Sequence, residues 1–195
     1  MITENQLTFK FDTRYLRFPE EPKKINIGGF EFYDYISPQA MNAIIQNFSD
    51  HINLRMFDEV LVNQSGGDHF AKNLAYLQKY DRKIIDINYA RGGKIKTPVP
   101  DHLRDKKIAI IEDILDGGGT AQRMVEDAPN ATILFMTQKI NVPNQMPIDH
   151  KLVALLIDNV WVGGFGMNID DEGDSLPKDF LRDYPGLAAK IIKNR

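Results

Sequence analysis

Apolar residues recur along this chain at two spacings, and the spacings alternate. After Ser37-Pro38, the positions Met41, Ile44, Ile45, Phe48 and Ile52 return every three or four residues, which predicts a helix over about residues 38–53. Ser37 suits the N-cap and Pro38 the first helical position. Phe57 to Val62 then reads as the first strand of a parallel sheet, and residues 68–80 as a helix with Phe70, Leu74 and Leu77 inward. Lys83–Tyr89, Ile108–Ile111, Ala131–Thr137 and Leu152–Ile157 are further apolar, β-branched runs, with a helical stretch at Ala121–Ala128. Short continuous apolar runs are what strands buried on both faces require. The alternation predicts an α/β fold with a central parallel sheet flanked by helices.

The flanks are less regular. Leu7, Phe9 and Phe11 alternate, Tyr15, Leu16 and Phe18 cluster before Pro19 and Pro22, and Phe30, Phe32 and Tyr33 follow Gly28-Gly29. Residues 1–36 therefore read as short strands and loops packed at an edge. In residues 177–195, Phe180, Leu181, Leu187, Ile191 and Ile192 suggest one amphipathic helix or two short ones.

Composition narrows the class. A chain of 195 residues, 43% hydrophobic, fits a single domain over residues 1–195 with a sizeable core. The net charge of −3 and the lack of a long basic block argue against a nucleic-acid partner. There is no cysteine, so no disulfide or thiolate chemistry is expected, which fits a reducing cytoplasm. No apolar run approaches the roughly 18 residues of a membrane span, and no signal-peptide core is visible. A cytoplasmic protein without a membrane partner is the expectation. The four histidines lack zinc-ligand spacing.

The densest chemistry lies in residues 108–120, Ile-Ala-Ile-Ile-Glu-Asp-Ile-Leu-Asp-Gly-Gly-Gly-Thr. An apolar strand runs into Glu112 and Asp113, then Asp116, then Gly117, Gly118, Gly119 and Thr120 ahead of a helix. Consecutive glycines let an anion approach backbone N–H groups, and the helix behind presents its positive end. This suits a phosphomonoester, with the Thr120 hydroxyl as a further donor. The acids would repel bare phosphate, so they call for ribose hydroxyls or hydrated Mg2+. A dinucleotide-binding loop fits poorly because these glycines are consecutive and follow acids, and a Walker A loop lacks its Gly-Lys-Ser/Thr.

The stretch resembles the PRPP (5-phosphoribosyl diphosphate) motif of type I phosphoribosyltransferases across its whole length, and the chain is closest in pattern to the hypoxanthine-guanine(-xanthine) enzymes. Around it, looser similarity covers roughly residues 37–176. The resemblance implies the type I fold, a central parallel sheet with a small hood, to which residues 1–36 could contribute. It also implies a place for several other segments. Ser65-Gly66-Gly67 sits where the family binds diphosphate, with Ser65 in place of a basic residue. Arg91, Lys94 and Lys96 fall in the position of a mobile loop that closes over PRPP; a solvated basic hairpin is the alternative. Lys139 matches the lysine that hydrogen-bonds the 6-oxo group of the base. Trp161, the only tryptophan, matches the aromatic that stacks on the purine, and Val162 would read the base edge; a core tryptophan is the alternative.

Departures from the family pattern cluster downstream. An expected metal-binding Asp is Asn168, and an expected Arg aligns with Asp174. The acidic run Asp170, Asp171, Glu172 and Asp174 only faintly echoes a calcium loop, with wrong residues at key positions.

By resemblance, then, Asp116 would be the general base, and Glu112 and Asp113 would hold ribose hydroxyls and Mg2+, with Asn168 as a weaker metal donor. Gly117, Gly118, Gly119 and Thr120 would hold the 5′-phosphate, while Ser65, Gly66, Gly67 and Arg91 would contact diphosphate. The implied reaction is Mg2+-dependent transfer of the phosphoribosyl group from PRPP to a 6-oxopurine (hypoxanthine, guanine or xanthine) in purine salvage. A homodimer or homotetramer is implied by the family alone. Two other readings stay open: a non-catalytic PRPP or nucleotide binder with a regulatory role, and a transferase for another base.

Overall fold

The computed structural model describes residues 14–16, 19–27, 29–64, 66–90, 95–167 and 181–190. Eleven strands and three α-helices are found among them.

Five parallel strands form the heart of the main sheet: β9 (Lys151–Ile157), β8 (Thr132–Lys139), β7 (Ile108–Leu115), β4 (Glu59–Asn63) and β5 (Ile85–Tyr89), in that spatial order. β1 (Arg14–Leu16) adds a parallel strand beside β9, and β6 (Ile95–Thr97) an antiparallel one outside β5. The apolar runs predicted as strands lie in the centre because both faces are covered. α1 (Pro38–His51) and α2 (Asp68–Leu77) pack one face through Met41, Ile45, Phe48, Phe70 and Leu74. α3 (Gly119–Asp127) and residues 99–103 cover the other through Met124, Val99 and Leu103. Ser37 caps α1 as expected, its Oγ accepting from Ala40 N at 3.3 Å.

Three expectations need correction. β7 does not stop at Ile111. Its ladder with β8 continues through Glu112↔Phe135, Ile114↔Thr137 and Leu115↔Gln138, so the acid pair is carried on a strand and not on a loop. Ladder pairing fixes the backbone beneath both carboxyl groups, and strand alternation starts their side chains toward opposite faces. β8 likewise extends to include Lys139. Finally, the helix expected over 177–195 is absent at Leu187–Lys190, which forms strand β11. Leu187, Ala188 and Ala189 are all fully buried, so their environment is the middle of a sheet and not the one-sided contact of an amphipathic helix.

β11 is central to a second, four-stranded antiparallel sheet of order β10-β11-β3-β2, with β2 at Lys23–Ile27, β3 at Phe30–Ile36 and β10 at Trp161–Gly163. This is the hood. Tyr35 of β3 ties it to the main sheet, donating to Leu16 O at 2.6 Å and accepting from Asp158 N at 3.0 Å. After β10 the chain reverses in a tight turn with positive φ at Gly164, Phe165 and Gly166. Phe165 N and Gly166 N donate to Tyr184 O and Arg182 O at 2.6 and 2.9 Å, which binds the turn to the segment leading into β11. The alternating residues Leu7, Phe9 and Phe11, expected in or near this region, lie outside the described residues, as do Phe18, Phe180, Ile191 and Ile192.

Candidate active site

The carboxyl ends of β7 and β8, the loop 116–118, the start of α3 and hood strand β10 surround a cavity of about 690 Å³. Its walls include the acids Glu112, Asp113 and Asp116, the run Gly117 to Thr120, and Lys139, Trp161 and Val162. Three strands, a loop and a helix thus bring together residues that the sequence alone singled out. A crevice at the carboxyl edge of a parallel sheet is the usual ligand position in such folds.

The glycine loop is shaped from behind. Gly118 has φ +86, and a Cβ there would lie 2.9 Å from Met146 Cβ and O. Met146 N donates to Gly117 O at 2.9 Å. Gln145 Nε2 reaches Asp116 O at 2.5 Å and Lys139 O at 3.1 Å, so one amide joins the ends of β7 and β8. The first turn of α3 then points N–H groups without intrahelical acceptors at the cavity, a positive helix end suited to an anion.

At the start of the loop, Lys139 Nζ donates to Asp116 Oδ2 at 3.0 Å and sits 5.1 Å from the centroid of the Trp161 ring. The lysine side chain is 6% exposed and that of Asp116 31%, so the acid is the member open to the cavity. Trp161 is half-buried and Val162 buried.

The acid pair has a different setting. Glu112 is buried, and Asn63 Nδ2 donates to its Oε2 at 2.5 Å. Asn63 also bonds both backbone groups of Tyr89, donating to the carbonyl at 3.1 Å and accepting from the N–H at 2.8 Å. Burial pushes the Glu112 carboxyl well above the usual carboxylate range, and the neighbouring charge of Asp113 pushes it further. Asp113 accepts from Ile114 N at 2.7 Å and its Oδ2 lies against Gly66: a Cβ on that glycine would be 1.7 Å away.

Gly66 therefore touches the site through Asp113, and Gly67 N donates to Asn63 O at 3.0 Å, but neither glycine is a wall of the cavity. Ser65, Arg91, Lys94, Asn168 and Asp174 lie outside the described residues. Asn63, Tyr89, Arg123, Gln145 and Met167 were not anticipated. Asn63 and Tyr89 did carry a signal, each being a polar group at the end of an apolar strand run, where burial demands a hydrogen-bond partner. Gln145 sits in a loop with no pattern that could have pointed to it.

No protein-family model matches the sequence, and no curated protein matches it significantly. Solved structures do match. The chain has the type I phosphoribosyltransferase fold. A hypoxanthine-guanine phosphoribosyltransferase from Bacillus anthracis superposes with a TM-score of 0.64 at 18% identity, covering 87% of this chain and 98% of that one. The hypoxanthine phosphoribosyltransferase of Trypanosoma cruzi gives 0.61 at 16% identity over 79% and 93% of the two chains. A point mutant of the Trypanosoma cruzi enzyme, complexed with the product IMP, gives 0.62 at 14% identity over 88% and 92%.

Proposed function

We propose that this chain is a phosphoribosyltransferase that moves the 5-phosphoribosyl group from PRPP to a 6-oxopurine. The observation that carries the reading is the Lys139–Asp116 pair beside Trp161. A buried ammonium donor and a more open carboxylate acceptor stand 3.0 Å apart at one wall. A 6-oxopurine presents the complementary pair on neighbouring positions, the carbonyl O6 as acceptor and a protonated N7 as donor. A 6-aminopurine would set its amino donor against the ammonium, and an unmatched buried polar group discriminates strongly. Trp161 offers a stacking face worth about 1–3 kcal/mol per base.

In the reaction, a ring nitrogen of the base bonds to C1 of the ribose, the C1–oxygen bond breaks, and diphosphate leaves with the electron pair. Asp116 takes the proton that the imidazole ring loses, a role worth about 10²–10⁴-fold. The amides of residues 117–120 seat the 5′-phosphate. Glu112 and Asp113 would hold the ribose hydroxyls; the charge of Asp113 stabilises the cationic ring of the transition state, and the buried Glu112, which resists ionisation, contributes through hydrogen bonding.

Mg2+ fits the donor set. Two hard carboxyl groups lie side by side on β7, Glu112 buried and Asp113 partly exposed, and the charge of Asp113 helps keep Glu112 from ionising; among the described residues no group of three or more His, Cys, Asp or Glu could enclose a metal. Mg2+ is commonly held by one or two carboxylates plus substrate oxygens. Glu112 and Asp113 would hold it, and it would supply neutralisation of the diphosphate charge.

The test is diphosphate release from PRPP and Mg2+ with hypoxanthine, guanine, xanthine, adenine, uracil and orotate in separate reactions. Turnover with an oxopurine, reduced about 10²–10⁴-fold in Asp116→Asn, supports the assignment. Measurable PRPP or nucleotide binding without turnover on any base would replace it with a non-catalytic, regulatory role, and full activity of Asp116→Asn would remove the base role from that residue.

A further inference from the structure

Gly119, Arg123 and Asp127 recur every four residues along α3 and share one face of the helix. That face looks toward the end of β5. At its lower end the Tyr89 hydroxyl donates to Asp127 and accepts from Val99 N at 2.9 Å, which clamps helix, strand and the segment around Val99 together. Burial and the Asp127 bond push the Tyr89 phenol up to about 12, so it remains a neutral donor. In the middle, Arg123 Nη2 donates to Ala90 O at 3.1 Å. At the upper end stands the glycine loop with its outward N–H groups.

Arg123 is a wall of the main cavity, and its Nε is buried with no hydrogen-bond partner. A guanidinium carries five donors in a rigid fork that matches phosphate oxygens. The other cation of the cavity wall, Lys139, is committed to Asp116. Among the described wall residues, Arg123 is thus the cation with no carboxylate partner, one helical turn behind the amides of Gly119 and Thr120. A half-buried guanidinium with one carbonyl bond, whose buried Nε still holds an unmatched N–H, is built to receive an anion.

We propose that Arg123 is a phosphate-binding residue of this site, gripping the 5′-phosphate of the ligand seated on residues 117–120. The proposal rests on the phosphoribosyl reading of the cavity. Its chemistry, however, requires only a phosphomonoester. The Ala90 carbonyl holds the guanidinium in place before the ligand arrives, so little side-chain freedom is lost on binding.

The experiment compares phosphorylated and unphosphorylated ligands by calorimetry: IMP against inosine, and ribose 5-phosphate against ribose. Two variants are used. Arg123→Met removes both charge and donors, and Arg123→Gln keeps a donor for Ala90 O without the charge. Both should weaken IMP and ribose 5-phosphate by about tenfold or more, as loss of a charge-assisted bond demands, while inosine changes by less than about twofold. A purely structural role would instead weaken all ligands together. Equal loss for IMP and inosine, unchanged IMP binding, or failure of both variants to fold would overturn the proposal. Arg123-dependent binding of ribose 5-phosphate in a protein that turns over no base would sustain the phosphate site and defeat the transferase reading. A wild-type protein that binds neither IMP nor ribose 5-phosphate would defeat both.

Discussion

Asn63 joins three strands with one side chain, and replacing it tests how the acid pair is held. Its carboxamide serves Tyr89 N, Tyr89 O and Glu112 Oε2 at 2.8, 3.1 and 2.5 Å, and Asn63 itself is fully buried. Leucine has nearly the same shape and can satisfy none of these groups. Each buried polar group left without a partner costs about 1–3 kcal/mol, and hydrophobic transfer of the leucine recovers part of the sum. Asn63→Leu should therefore lose about 3–5 kcal/mol, a large share of the roughly 5–15 kcal/mol typical of a domain. Asn63→Asp separates the effects. It keeps an acceptor for Tyr89 N but sets a second carboxyl against Glu112. Its loss should be greater at about pH 8 than at about pH 5.5, where a shared proton restores a donor between the two carboxyls. Urea unfolding at both pH values, followed by fluorescence, gives the midpoint and slope needed. A loss below about 1 kcal/mol for Asn63→Leu, or a pH-independent loss for Asn63→Asp, would refute the claim that this amide sustains Glu112.

Other perturbations follow from the same geometry. Glu112 has a native pKa above its unfolded value, so the folded state resists ionisation and stability falls as pH rises past the ordinary carboxylate range. Glu112→Gln should accordingly gain stability relative to the parent between about pH 4.5 and about pH 8 while weakening the proposed ribose and metal contacts; an equal difference at both pH values in urea titrations would contradict this. Gly66→Ala places a methyl 1.7 Å from Asp113 Oδ2 and 2.4 Å from its Cγ. The Asp113 side chain must swing away, at about 1–3 kcal/mol for overpacking. PRPP affinity measured by calorimetry should fall with it, and an unchanged affinity would show that Asp113 does not need that orientation.

Much of the main sheet could be read from the sequence because its strands are buried on both faces. Runs such as Ile108–Ile111 and Leu134–Met136 need no alternation to be seen, and the helices between them carry clear three- and four-residue spacing. The glycine loop and its acids were equally legible, since their order along the chain is their order in the cavity wall. The hood was harder. Leu187-Ala188-Ala189 has good helix formers, yet Gly186 before it packs where a Cβ would lie 2.4 Å from Ile36 O, and the three residues then fill a strand between β10 and β3. Partners at the far end of the chain, on β3, decided that conformation, and local propensity yields to such packing. Asn63 and Arg123 illustrate the same limit within the site. The residues they serve, Tyr89, Glu112 and Ala90, come close only once the sheet is ordered.

The hood has a consequence for biosynthesis. β10, which carries Trp161, pairs in the sheet only with β11 among the described strands, and β11 is the bridge from β10 to β3. During translation, the glycine loop at 117–120 and the strands around it can assemble as soon as β9 has emerged, but the wall bearing Trp161 must wait for residues 187–190. A nascent chain would pass through a stage in which the glycine loop is formed while its neighbouring aromatic wall is still unmade. The last of these strands to leave the ribosome is therefore the one that anchors the Trp161 wall.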